Sequence, residues 1–162
     1  MGNKLKIVGS GIGLAVILIA GWEGVRYEAY RDIGGVPTIC HGHTEGVRIG
    51  DTASPAECRA MLKPEVQKHW DAVDRYISTP LEPWEQIAFT DLSYNIGIKA
   101  FAGSTLVKLA NQGNMPAACL QLLKWVYDTQ SWYHPDPVPG LVKRRNFMFG
   151  ICIGEGVEWA PE

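Results

Sequence analysis

The chain has 162 residues, 46% hydrophobic and 20% charged, a size and composition that fit one globular domain and exclude a disordered or collagen-like polymer. Fifteen Lys and Arg stand against 17 Asp and Glu, so the net charge of −2 argues against a general nucleic-acid coat protein and against adhesion to membranes through a basic patch. Lys4 and Lys6 precede an uncharged stretch of 16 residues, from 7 to 22. As one helix it spans ~24 Å, short of a ~30 Å hydrocarbon core. Gly9, Gly11, Gly13 and Gly21 weaken it further. Basic residues followed by an apolar run have the order of an export signal. Four readings remain open: a cleaved signal peptide, for which Ile19-Ala20-Gly21 is a poor cleavage site; a permanent anchor; a segment that inserts weakly and can leave the bilayer; and a buried core helix.

Beyond Trp22 the pattern turns to short strands. Residues 27–31 lack helical periodicity, Asp32 to Gly35 reads as a turn and Val36 to Cys40 as a strand, with a further brief strand predicted over Val47–Ile49. Helices follow. Ser54, Pro55 and Glu57 form a capping box at the start of a helix that runs to about Lys63, where Pro64 kinks or restarts it toward Tyr76. Trp84, Ile87, Ala88 and Leu92 share one stripe of a helix ending near Gly97. Ser104 caps a helix closed by Gly113, Met115–Tyr127 is helical, residues 128–139 form a Pro-rich loop, and residues 140–153 form the last helix. The fold class is α+β: a small antiparallel sheet, then a helical bundle.

Glu23 ends the apolar run, Asp32 sits at the hairpin turn and Thr38 on the returning strand. Two carboxylates flanking a cleft are what glycosidic bond hydrolysis requires: one protonated to serve the leaving oxygen, one ionised to act on the other face of the sugar. Ile19, Trp22 and Val25 predict an apolar setting for Glu23, whereas Asp32 lies in a polar turn. Cys40, His41 and His43 raise the possibility of zinc, but His41 and His43 share one strand face, Cys40 points to the other, and no fourth ligand follows at a familiar spacing. No metal or other cofactor is predicted. Cys40, Cys58, Cys119 and Cys152 permit three disulfide pairings.

The segment GWEGVRYEAYRDIGGVPTICHGHT resembles the active-site stretch of phage-type lysozymes, glycoside hydrolase family 24. A Glu, eight residues, an Asp, five residues and then Thr are matched by Glu23, Asp32 and Thr38, followed by Gly42-His43-Thr44. SYNIG, FAGSTLVKLANQG and PGLVKRR resemble further blocks of that family in the same order, so the likeness extends over Leu14 to Cys152. The resemblance implies a lysozyme-like fold with a cleft between a sheet lobe and a helical lobe. It implies a muramidase that cuts the β-1,4 bond between N-acetylmuramic acid and N-acetylglucosamine in peptidoglycan. Glu23 becomes the general acid, Asp32 the group on the opposite face and Thr38 its help in holding water; base or nucleophile stays open for Asp32, and Thr at this position is associated with inversion. Ser93, Asn95 and Gly97 fall where that family lines its saccharide cleft, with a plain helix terminus as the alternative. Arg144 or Arg145 either pairs with Glu23 or contacts the glycan, with Arg144 assigned to substrate; His43 takes a structural place near the site. Trp84, Trp125 and Trp132 could stack on sugar rings, with Trp125 better read as core.

The resemblance further implies the pairs Cys40–Cys58 and Cys119–Cys152. It also places the chain in the signal-anchor-release subclass, exported without a phage-made pore and held inactive at the inner membrane until depolarisation frees the segment. On that reading residues 1–22 are the anchor, which becomes the first helix after release, and 23–162 the catalytic domain. The protein then acts in the periplasm as a monomer on peptidoglycan, with no nucleic-acid partner. A lytic transglycosylase, a membrane-anchored glycan-binding module and a cytosolic phage lysozyme are the competing readings.

Overall fold

A computed structural model describes residues 5–8, 11–32, 34–127 and 136–160. In chain order the elements are β1 (Leu5–Val8), α1 (Ile12–Trp22), β2 (Arg26–Arg31), β3 (Pro37–Cys40), α2 (Pro55–Tyr76), α3 (Pro83–Ile96), α4 (Ile98–Ala102), α5 (Thr105–Asn111), α6 (Met115–Gln121), a 3-10 turn (Leu122–Lys124), α7 (Pro139–Cys152) and β4 (Val157–Ala160). The α+β class expected from the sequence is what the structure shows.

The uncharged N-terminal run is not one helix. Leu5–Val8 instead pairs in parallel with Val157–Ala160, and the helix starts at Ile12. Gly11 makes the break: its φ is 77°, and a Cβ there would lie 3.3 Å from both Ile87 and Trp70. A side chain would be strained by the backbone and crowded by the core, so glycine is needed twice over. Short α1 then buries Ala15, Val16 and Ile19 against α2 and α3. Among the described residues no helix is long and apolar enough to cross a membrane.

β2 and β3 form the antiparallel hairpin, with Tyr30 opposite Thr38. No strand forms over Val47–Ile49. The hairpin lobe is completed by single bridges, Glu28 to Thr52 and Ile39 to His43, because the intervening turns return the chain one residue at a time. This lobe has its own small core of Ile39, Cys40 and Cys58, tied by the Cys40–Cys58 disulfide to α2.

α2 runs unbroken through Pro64, where two helices or a kink were expected. Pro64 takes the amide from Ala60's carbonyl, but both residues are exposed, so water can satisfy that oxygen. Its start is held as the sequence indicates: Ser54 N–H donates to Glu57 Oε2 at 2.7 Å, and Glu57 N–H donates to Ser54 Oγ at 3.3 Å. α3 is the axis of the helical lobe, with every residue from Gln86 to Ser93 buried among α1, α2, α4 and α7. The helix predicted to Tyr127 stops as an α-helix at Gln121. The Trp125 carbonyl accepts from Arg145 Nε at 3.1 Å, so a tertiary contact claims a group that a longer helix would use internally. The second disulfide, Cys119–Cys152, joins α6 to α7.

Candidate active site

Glu23 is the residue at which α1 ends. Its N–H still donates to Ile19 O at 2.9 Å, while its φ and ψ have turned extended, so the helix aims the side chain and the next residue leaves for the hairpin. The carboxylate does not enter the apolar setting expected for it: Trp22 and Val25 are themselves exposed. It meets Arg144 instead, whose Nη1 donates to Glu23 Oε1 at 2.8 Å. The Glu23 side chain keeps 31% exposure, enough to be reached by a ligand.

Behind this pair lies a buried charge cluster. Arg144 donates from Nε to both oxygens of Asp91 at 3.0 Å and from Nη2 to Oδ1 at 2.8 Å. Arg145 Nη1 reaches Asp91 Oδ2 at 3.2 Å, and its Nη2 donates to Asn95 Oδ1. Asp91 is 1% exposed and Arg145 fully buried. Burial works against the charge on Arg144, yet the bonds to Asp91 and then Glu23 hold its pKa above the ordinary arginine value. Burial, with Arg144's like charge adding to it, brings Arg145 down to about 10 despite Asp91. Both remain cations near neutral pH.

Asp32 is fixed at the hairpin tip. Its Oδ1 accepts from Val36 N at 2.8 Å and its carbonyl from Gly35 N at 2.9 Å, the latter with φ 79°. Thr38 is buried and its hydroxyl donates to Val36 O at 2.9 Å, so Val36 links Asp32 and Thr38 indirectly. Among the described residues no hydrogen bond runs from Asp32 to Thr38 or Glu23.

A cavity of about 440 Å³ opens between the two lobes, walled by Cys40, His41 and His43 on one side and Met61 and Glu65 of α2 on the other, with Tyr94 of α3. Glu23, Asp32 and Thr38 are not among its walls. Burial first, then the carboxylates of Glu23 and Glu65, pushes the Tyr94 phenol up to about 12, so it stays a neutral donor. His43 is held by reciprocal backbone bonds with Ile39 at 2.9 Å. Cys40, considered with His41 and His43 for zinc, has its sulfur in a disulfide.

The residues assigned to substrate fall in different settings. Ser93 is wholly buried and bonds His69 Nδ1 through Oγ at 2.9 Å, because α3 turns it toward α2 rather than the cleft. Arg144 is 4% exposed, and its guanidinium donates to two carboxylates, Glu23 and Asp91. Asn95 is exposed but its amide oxygen is taken by Arg145. Gly97 is the bend between α3 and α4, with φ 86°, and lines a surface groove with Lys99 and Trp125. Trp84 packs on the main core beside Gly154, Trp125 packs there too, and Trp132 lies outside the described residues.

Asp91, His69 and Tyr94 were not singled out from the sequence. Asp91 carried a signal: an acid among Ile87, Ala88, Phe89 and Leu92 is a charge on a buried helix, which demands a partner.

A hairpin lobe set against a helical lobe, with a carboxylate at the end of the first helix and another at the hairpin tip, is the arrangement of a lysozyme-type glycoside hydrolase. The phage lysozyme family model matches residues 20–147. The chain is 36% identical over 155 residues to the SAR-endolysin of Enterobacteria phage P21, covering 91% of this chain and 90% of that one. It is 37% identical over 145 residues to the SAR-endolysin of Pseudomonas phage phiKMV, covering 90% and 89%. Its fold superposes on a single-substitution mutant of phage P22 lysozyme with a TM-score of 0.76 and 32% identity, covering 86% of this chain and 95% of that one. The chain belongs to the phage lysozyme family and is a peptidoglycan-cleaving glycoside hydrolase.

Proposed function

We propose that this chain is a signal-anchor-release endolysin whose first helix is both its membrane tether and the mount of its catalytic acid. Glu23 donates the proton to the glycosidic oxygen between N-acetylmuramic acid and N-acetylglucosamine, and Asp32, rigid at the hairpin tip, acts on the opposite face of the sugar. Thr38 gives its proton to Val36 O and keeps an oxygen able to accept from the attacking water.

The Glu23–Arg144 ion pair carries this reading. It closes only when α1 lies in the helical lobe. While the uncharged run from 7 to 22 sits in a bilayer, Glu23 stays at the membrane surface and Arg144 keeps Asp91 as its carboxylate partner. The two states are close enough to exchange: the run is short and rich in glycine and alanine, and its helix α1 buries Ala15, Val16 and Ile19 when docked. The names of the phage P21 and phiKMV relatives support the same cycle and an enzyme that acts in the periplasm.

Two measurements test it. Glu23→Gln keeps a hydrogen-bonding partner for Arg144 and is expected to lose lysis of peptidoglycan by ~10²–10⁴-fold while remaining folded; full activity in a folded variant overturns the acid assignment. Fractionation before and after collapse of the membrane potential should move the protein from membrane to soluble periplasm. Soluble, lytic protein before collapse overturns the tether.

A further inference from the structure

Four charged side chains meet where α1, α3 and α7 converge: Glu23 and Asp91 are acidic, Arg144 and Arg145 basic, so the cluster is balanced. Arg144 stands between the two acids, with one donor on Glu23 and three hydrogen bonds to Asp91. An arginine with no other partner, 2.8 Å from a general acid, would favour the ionised carboxylate and work against proton donation. A second carboxylate, almost fully buried and shared by both arginines, offsets that positive field and also fixes the plane of the guanidinium.

We propose that Asp91 is a positioning residue for catalysis, holding Arg144 against Glu23 while neutralising enough of the local positive charge for Glu23 to work as an acid. The inference rests on the reading of Glu23 as that acid. Arg144 from α7 bonds Glu23, the Tyr94 phenol of α3 lies within reach of its charge, and Asp91 and Arg145 stand immediately behind Arg144. Tyr94 stays neutral throughout the working range, held up at about 12 by burial and then by the Glu23 and Glu65 carboxylates. The charged groups bonded into this cluster with Glu23 are the two arginines and Asp91. A residue that merely braces the fold lowers activity equally at all pH values. One that sets the field at the acid moves the pH profile.

The test is the pH dependence of kcat/KM on purified peptidoglycan for the full chain and four variants. Asp91→Asn leaves the cluster one positive charge in excess, and the alkaline limb should move ~1 pH unit lower. Arg145→Gln leaves one negative charge in excess and should move the same limb upward; it also carries the test alone where Asp91→Asn does not fold. The double variant Asp91→Asn/Arg145→Gln restores the balance, and its limb should return toward the parent's. Limbs that stay in place in the folded single variants, with activity lost evenly across pH, overturn the proposal. Glu23→Gln keeps the two assignments apart: if it is inactive, unmoved limbs count against Asp91 alone, and if it retains activity the acid assignment itself has failed.

Discussion

One guanidinium joins three helices: Arg144 on α7 donates to Glu23 at the end of α1 at 2.8 Å and to Asp91 on α3 at 2.8 Å. The pair with Glu23 crosses 121 positions of sequence and that with Asp91 crosses 53, so both exist only in the assembled fold. Arg144 is consequently a folding contact as much as part of the site.

Removing it should therefore be costly. Arg144→Met leaves buried Asp91 with the single 3.2 Å bond from Arg145, and breaking such a pair costs about 3–5 kcal/mol. The neighbouring Lys143 is exposed, and Lys143→Met should stay within about 0.5 kcal/mol. Urea unfolding of the two variants under one condition makes the comparison.

Adjacent faces of α1 should separate tethering from folding. Ile17 is 57% exposed and Ile19 is fully buried. Ile17→Asp should leave folded stability within about 0.5 kcal/mol, yet a charge near the middle of a membrane helix costs about 2.5–3.5 kcal/mol. Ile19→Ala should cost the folded protein about 2–5 kcal/mol through the cavity it leaves. Co-sedimentation with membranes should fall for Ile17→Asp, while Ile19→Ala should shift chiefly the urea midpoint.

The disulfides should contribute unequally. Cys119–Cys152 closes 33 residues and Cys40–Cys58 closes 18, so chain entropy gives about 4 and about 3 kcal/mol. Paired Cys→Ser replacements measured by urea unfolding should fall in that order. Loss of Cys40–Cys58 should also loosen the hairpin lobe, whose small core includes both sulfurs, and reduce activity more than its stability cost alone accounts for.

Acid should weaken the helical lobe through His69. Burial lowers its pKa below the ordinary 6.5, against the opposing pull of Glu65 and the bond to Ser93. The unfolded chain takes up that proton near pH 6.5 while the folded protein resists it. The stability associated with His69 is thus complete above pH 6.5 and declines as pH falls toward the folded value. His69→Gln should flatten the stability difference between pH 7.5 and 5.5, read from urea midpoints.

The local chemistry of the chain was decided by neighbours in sequence. The Ser54–Glu57 capping box formed as its spacing indicated, Ser104 caps its helix by accepting from Val107 N, and the hairpin between β2 and β3 follows the turn at Asp32 to Gly35. Caps and turns depend on backbone groups a few positions apart, so residue type suffices to read them. The family likeness is legible in the same way, because the ordered blocks around Glu23, Asp32 and Thr38 are short runs of fixed spacing.

What only tertiary structure decided involves groups far apart in sequence. Whether the apolar run is one helix turned on Gly11 meeting Ile87 and Trp70 and on strand pairing with the distant 157–160 segment. That Arg144 rather than Arg145 bonds Glu23 depended on α7 laying it between Glu23 and Asp91. Ser93 was placed in the interior by the rotation of α3 against His69, which no spacing along one helix reveals. A buried charge states in the sequence that it needs a partner. Packing alone names the partner, and here it bound the apolar segment and the candidate acid into one structural unit.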